Sequence, residues 1–208
     1  EQSLANYLKG KYQKFSHKNE IAFPGYYAVK FTKPGIFAEL TATERVGVHR
    51  YTFSGKETPH IILDVASSLG KGKTSEGEIH VAENGEITGG IKTFGNFASR
   101  YGGQKVWFAA RFSKPVSSYS IWSKKEVFQN KSSVLGDTVG IDLRFNKTSP
   151  KEVIELKLAI SYVSIENARE NLVAEVGNSE FNEIVEKAKQ EWEEKLSLVK
   201  IDGATNDQ

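Results

Sequence analysis

Hydrophobic and polar positions alternate along most of this chain. From Tyr26 the pattern has period two, with Tyr27, Val29 and Phe31 on one face and Tyr26, Ala28 and Lys30 on the other. Ile36 to Thr43 alternates again. After an interruption at Val46-Gly47, Val48 to Phe53 forms a third strand of a meander. Ile61 to Val65 is short and continuously apolar, as expected of a buried strand. Glu78–Ala82, Glu86–Lys92, Lys105–Phe112, Ser118–Trp122, Val139–Phe145 and Ile154–Val163 read as further strands. Asn84-Gly85 predicts a tight hairpin, because both residues tolerate positive φ. Lys33-Pro34-Gly35 predicts another turn, and Gly70 to Gly77 a flexible loop. Residues 1–14 are polar and read as a loop or a short helix.

The period changes after Val163. Ser164 is placed to cap a helix over Ile165–Glu175, and Asn178 or Ser179 to cap a second one. In the second, Phe181, Ile184, Val185, Ala188, Trp192 and Leu196 follow helical spacing opposite a charged face. That stripe must bury against the strands or against a partner. Residues 202–208 form a polar tail. The pattern predicts a mostly β protein: a large antiparallel β-sandwich over residues 1–163, followed by two C-terminal α-helices in residues 164–208. Strands do not alternate with helices, which argues against a doubly wound α/β fold.

Composition narrows the chemistry. The 208 residues suit one large domain or two small ones. Net charge is +2, from 28 basic and 26 acidic residues, so neither nucleic acid nor a membrane surface is an expected partner. No apolar run approaches the ~20 residues of a membrane span. The chain has no cysteine, which excludes disulfides, thiol catalysis and Cys-based zinc sites. It has no methionine either, not even at position 1, so a processed product or a piece of something longer is expected.

No catalytic constellation emerges from spacing. His17, His49, His60 and His80 form no metal-binding pair of helical spacing, and His49 alternates within a strand, which suits a structural or surface role. Gly72-Lys73-Thr74 lacks the first glycine of a phosphate-binding loop. Glu39 and Glu44 read as salt-bridge carboxylates, since spacing cannot identify a glycosidase pair. Two groups are candidates for binding. His17, Asn19 and Glu20 stand just before a Pro-Gly turn. Phe94, Phe97 and Tyr101 occupy the Gly-rich stretch GGIKTFGNFASRYGG between two strands. The rings either plug the end of the sandwich, the readier reading for aromatics, or offer a stacking platform to a sugar.

Several stretches, taken in order, carry a resemblance. They are FSHKNEIAFPGYYAVKF (15–31), AELTATERVGVHRYTF (38–53), ILDV (62–65), VWFAARFSKP (106–115) and LAISYVSIENARENLVAE (158–175). From about Phe15 to Trp192 the chain resembles the N-terminal domain of the family 92 glycoside hydrolases, the calcium-dependent exo-acting α-mannosidases. The resemblance implies a sandwich of the galactose-mutarotase-like kind, joined by a helical linker to a catalytic six-hairpin α/α barrel. It implies inverting hydrolysis of α-mannosides of mannans or N-glycans, at a site where barrel and sandwich meet. The general acid, the base and most calcium ligands belong to the barrel in that family. No catalytic or metal-binding residue is therefore carried over onto this sequence. Calcium is expected in the complete enzyme and none within this chain.

His17, Asn19 and Glu20 match the family's FSHxNE motif. They are expected to order the turn before Pro24 or to face the barrel, with the structural role favoured because such side chains readily bond to turn backbone. The second helix would be the linker, and without a barrel its stripe would drive self-association. A bacterial periplasmic or secreted location is implied. The alternatives are a free-standing carbohydrate-binding module, with rings drawn from Phe94, Phe97, Tyr101 or Trp122, or a purely structural sandwich.

Overall fold

A computed structural model of the chain describes residues 14–32, 35–55, 57–68, 72–95, 97–199 and 203. The expectations for residues 1–13, for Lys33-Pro34, for the first part of the Gly70–Gly77 loop and for nearly all of the tail lie outside the described residues. Thirteen strands fall in chain order: β1 (Phe15–Phe23), β2 (Tyr26–Phe31), β3 (Ile36–Ala42), β4 (Val46–Phe53), β5 (His60–Asp64), β6 (Lys73–Val81), β7 (Ile87–Phe94), β8 (Gln104–Phe112), β9 (Val116–Ser123), β10 (Glu126–Gln129), β11 (Ser133–Gly136), β12 (Val139–Phe145) and β13 (Glu152–Ser161). Two helices follow, α1 (Ile165–Glu175) and α2 (Phe181–Leu196).

The strands form two antiparallel sheets. The large one has the order β1-β2-β3-β4-β13-β8-β7-β6-β11 and the small one β10-β9-β12-β5. This is the large antiparallel β-sandwich that the alternation predicts, with two helices after it. The hairpin at Asn84-Gly85 forms as expected, with Gly85 at φ +82°. Most of the sequence-predicted flexible loop differs: Lys73 to Gly77 belongs to β6, which pairs with β7 across a register shift between Ser75 and Glu78. Three strands, β1, β10 and β11, were not legible. β1 carries alternate charges and lies at a sheet edge, and the other two are four residues each.

The main core fills the space between the sheets. Ile79, Ile87, Phe108 and Ile154 come from the large sheet, and Ile61, Ile121, Ile141 and Leu143 from the small one. Trp122 is buried and its ring lies over Gly140, where a Cβ would fall 1.9 Å from it. It therefore does not join the exposed rings considered for sugar binding.

A second core lies on the opposite face of the large sheet. Val46, Val48 and Ala159 meet Leu172 and Val176 from the α1 end and Phe181, Ile184 and Val185 from α2. Each large side chain buried there contributes about 1.5–3 kcal/mol. The helical stripe predicted from the sequence thus divides. Phe181, Ile184, Val185 and Ala188 are buried on the sheet, whereas Trp192 and Leu196 are exposed. α2 crosses the β1–β2 turn closely, and a Cβ on Gly25 would lie 3.0 Å from the Ala188 backbone. Gly25, at φ +85°, supplies both the turn conformation and the clearance.

Charged side chains pin the helices to this face. Glu39 accepts from Arg50 Nε and Nη2 at 2.8 and 2.6 Å and from the Tyr26 hydroxyl at 2.9 Å. Arg50 also donates to Asn182 Oδ1 at 3.0 Å and lies 4.2 Å from the centre of the Phe181 ring. Glu86, 6% exposed, receives Arg111 at 2.9 Å and Arg169 of α1 at 2.7 Å. Glu175 accepts from the Thr43 hydroxyl at 2.5 Å and the Arg45 amide at 3.0 Å. Ser164 caps α1 as predicted, accepting from the Asn167 amide. α2 is capped by Glu180 rather than by Asn178 or Ser179, because Glu180 and Glu183 form a reciprocal capping box while Lys157 holds the Ser179 carbonyl at 2.8 Å.

These pins carry a pH dependence. Burial raises the Glu39 and Glu175 carboxyls, but hydrogen bonds outweigh it, from Arg50 and Tyr26 for Glu39 and from Thr43 and Arg45 for Glu175. Both end below the ordinary 4.5. A depressed carboxylate stabilises fully above its unfolded pKa, and the contribution is lost as pH falls through the folded value. Glu155, raised by burial, works in the opposite sense. The expected outcome is helix loss on acidification below about pH 4.5, read as falling helical circular dichroism in an acid titration. A helical signal that stays flat to about pH 3 overturns this account.

Candidate functional site

The strand registers bring four connections to one rim of the large sheet. They are the β1–β2 turn, the β3–β4 turn, the exit of β13 and the β7–β8 connection. α2 runs from Arg50 toward the same rim, passes Gly25 at Ala188, and continues through Trp192 to Leu196. Apolar side chains are exposed all along this rim: Phe23, Phe97, Tyr101, Tyr162, Val163, Trp192 and Leu196.

The predicted ring group lies here. Gly89 to Phe94 belongs to β7, so the loop is shorter than the Gly-rich stretch suggests. A 3-10 turn over Ala98–Tyr101 presents Phe97 and Tyr101, 72% and 75% exposed, with ring centres 5.4 Å apart and planes inclined at 50°. Only Phe94 approaches the plugging role expected of these aromatics, half-buried over Gly103, where a Cβ would fall 2.8 Å from its ring. The turn is too short to fold back over the core, so its two other rings point outward.

The predicted polar group lies elsewhere. His17, Asn19 and Glu20 are on β1, at the outer edge, five strand spacings of about 4.8 Å from β8. The sequence suggested that these three order the turn before Pro24 or face the barrel. In the structure His17 Nδ1 bonds Glu20, and Glu20 accepts from the Tyr27 hydroxyl at 2.5 Å. His17 is 93% exposed and Asn19 is exposed beside it. The Tyr27 bond holds the Glu20 carboxyl below its usual range, with His17 adding to the effect. The same bond pushes the Tyr27 phenol up. The result is a chain of hydrogen bonds from His17 through the Glu20 carboxylate to the Tyr27 phenol.

Sequence reasoning missed Tyr27 as the third member, although it faces Glu20's strand with the right parity. It also missed Tyr162 and Val163. Their signal was two apolar residues between a strand end and a helix cap, where neither period explains them. On the sandwich side of β4, His49 Nδ1 lies 2.7 Å from the Tyr51 hydroxyl. Burial pushes His49 down and Tyr51 up to about 12. His60 reaches the buried Asp142 at 2.9 Å.

Hydrolysis of a glycosidic bond needs two carboxyl groups flanking the bond. The buried carboxylates Glu39, Glu86 and Glu152 are instead paired with Arg50, with Arg111 and Arg169, and with Lys114. Glu155 is on the helix-covered face near Arg50. Among the described residues no group of three or more His, Asp or Glu side chains is arranged to hold a metal ion. Among the described residues no helix is long and apolar enough to cross a membrane.

The fold and rim define an antiparallel sandwich with a helical layer on one face and an apolar rim at one end. A family model described as the glycosyl hydrolase family 92 N-terminal domain matches residues 1–161, and the chain belongs to that family. An inverting family 92 mannosidase of Bacteroides thetaiotaomicron superposes with a TM-score of 0.80 at 26% identity, over 93% of this chain and 25% of its own. A family 92 α-mannosidase of the same organism gives 0.79 at 27%, over 89% and 25%. It has also been solved with mannoimidazole. A bacterial glucoamylase complexed with acarbose, 12% identical with a TM-score of 0.55 over 86% of this chain and 29% of its own, shares the fold alone. The chain thus spans about a quarter of the length of the mannosidases it resembles. A comparison with curated protein sequences gave no match.

Because the Glu20 carboxylate raises Tyr27, Glu20→Gln is expected to return the Tyr27 phenol toward 10, read by tyrosinate absorbance in an alkaline titration. An unchanged Tyr27 titration would show that the bond is not made in solution.

Proposed function

We propose that this chain is the non-catalytic sandwich of an inverting α-mannosidase, and that its apolar rim shapes the sugar site against a catalytic α/α barrel in the same parent polypeptide. The carrying observation is the concentration of exposed aromatic and aliphatic side chains at one end of the large sheet, in a chain of this family. Exposed apolar surface gathered in one place marks an interaction site. Phe97 and Tyr101 are the rings best placed to meet the C–H face of a mannose, with Phe94 supporting the turn beneath them. Trp192 and Leu196, on the outgoing helix, are placed to seat the barrel.

The substrate class follows from the relatives, which are mannosidases: α-mannosides of mannans or N-glycans. The acid, the base and the calcium belong to the barrel in this reading. The parent enzyme works in the bacterial periplasm or outside the cell. The division of the chain into a sandwich, 1–163, and a linker, 164–208, is part of the same proposal. His17, Asn19 and Glu20 tie β1 to β2 and remain available to a second surface.

In the complete enzyme, Phe97→Ala with Tyr101→Ala is expected to lower kcat/KM on α-mannosides by roughly tenfold, about 1.4 kcal/mol, with the thermal midpoint unchanged. Full activity in that variant removes the rings from the site. A second reading, a free-standing sugar-binding module, is favoured by the same exposed pair; mannotetraose binding by the 208-residue chain alone would support it over the first. The exposed end of α2 also leads us to propose self-association of the chain when no barrel covers it. Light scattering should report a species larger than a monomer, and a monodisperse monomer overturns that point.

A further inference from the structure

The two sheets leave a slot between their edges. β10 is an edge of the small sheet and β11 an edge of the large one. The chain crosses from one to the other through Asn130–Ser132, with Asn130 at φ +52° and the Ser132 carbonyl accepting from Val81. At the other end Ser123 closes the slot by donating to the Leu135 carbonyl at 2.7 Å. The open groove between them has a volume of about 840 Å³.

Its lining combines lysines with apolar side chains. Lys124 and Lys125 stand at the β9–β10 turn, Lys131 stands at the crossover, and Glu126 is the one lining carboxylate. Lys92, Lys105, Lys114 and Lys189 pair with carboxylates. Among the described residues none of the three slot lysines pairs with a carboxylate; Lys131 lies 4.4 Å from the centre of the Phe128 ring instead. Phe128 and Val134 lie at the apolar floor, and Leu135, on the opposite face of β11, is 71% exposed at its lip. Four residues of strand make the slot about 13 Å long, room for two or three sugar rings.

We propose that this slot binds an anion-bearing oligosaccharide, a glycan carrying phosphate or carboxylate groups. Its ring faces pack on Phe128, Val134 and Leu135, and its acidic groups meet Lys124, Lys125 and Lys131 at the two ends. Unpaired lysines on edge strands also discourage edge-to-edge pairing. That role alone requires no apolar floor and no cavity between the charges. An extended acidic peptide would satisfy the lysines but not select for sugar.

The test is calorimetric titration of the 208-residue chain at low salt with four probes: tetragalacturonate, a mannose 6-phosphate-bearing mannotetraose, neutral mannotetraose, and polyglutamate of matched charge. At least one of the two acidic glycans is expected to bind, with the other distinguishing carboxylate from phosphate as the source of charge. Mannotetraose should bind at least tenfold more weakly. Lys124→Ala, Lys125→Ala and Lys131→Ala combined should weaken the acidic glycan at least tenfold. Lys18→Ala, Lys30→Ala and Lys195→Ala, which remove the same charge from other exposed positions, should not. No binding of either acidic glycan overturns the proposal. So does polyglutamate binding as tightly, or an equal loss in the control variant.

Discussion

A nine-stranded sheet has more apolar surface than a four-stranded one can cover. That mismatch governs this molecule. The small sheet covers part of one face, and the helices must take up the exposed strip on the other, over β4 and β13. The helix layer is therefore a condition of burying Val46, Val48 and Ala159, not an appendage to a finished sandwich. Its anchoring is electrostatic as well as apolar. Glu39, Glu86 and Glu175 each join segments distant in sequence, and each carries at least one arginine. A buried carboxylate left alone would be costly, so each arginine is required once the acid is in place.

The same mismatch explains where the molecule is left unfinished. At one rim α2 passes the β1–β2 turn at Ala188 and runs on beyond it. No further layer among the described residues covers Phe97, Tyr101, Tyr162, Val163 or Trp192. Buried carboxylates act as pins and exposed aromatics gather at the rim. Polar groups at the outer sheet edge bond among themselves, as in the His17–Glu20–Tyr27 chain. The buried carboxylates of this scaffold serve as pins, each held by a basic side chain.

Most of the architecture was legible because burial on one face imposes period two, as in β2 to β4, and burial on both faces gives short apolar runs, as in β5. β12 was read to the residue, as was the cap of α1, since Ser164 stands where the period changes. β1 was not read as a strand. An edge strand exposed along nearly all its length has no buried face to impose alternation, and its sequence is set by charge. The N-cap of α2 was displaced by a lysine from β13, a tertiary contact that local spacing cannot carry. The site was legible in its residue types but not in its arrangement. Phe97 and Tyr101 were found, yet their outward direction follows from a 3-10 turn too short to bring them back.

The two candidate groups differ in what fixes them, and this bears on which can evolve a binding role. His17 and Glu20 sit on a strand whose pairing shifts register between Phe15 and Glu20, so their geometry depends on one edge contact with β2. Phe97 and Tyr101 sit on a turn held by backbone bonds from Gly103 to Ala98 and from Arg100 to Phe97, above two strands of the large sheet's interior. A side chain on a turn tied to interior strands keeps its position when a ligand pulls on it, whereas one on an edge strand yields. The rigid support under the rings, more than their chemistry, is the physical reason the proposed sugar contact falls to the β7–β8 turn rather than to the β1 cluster.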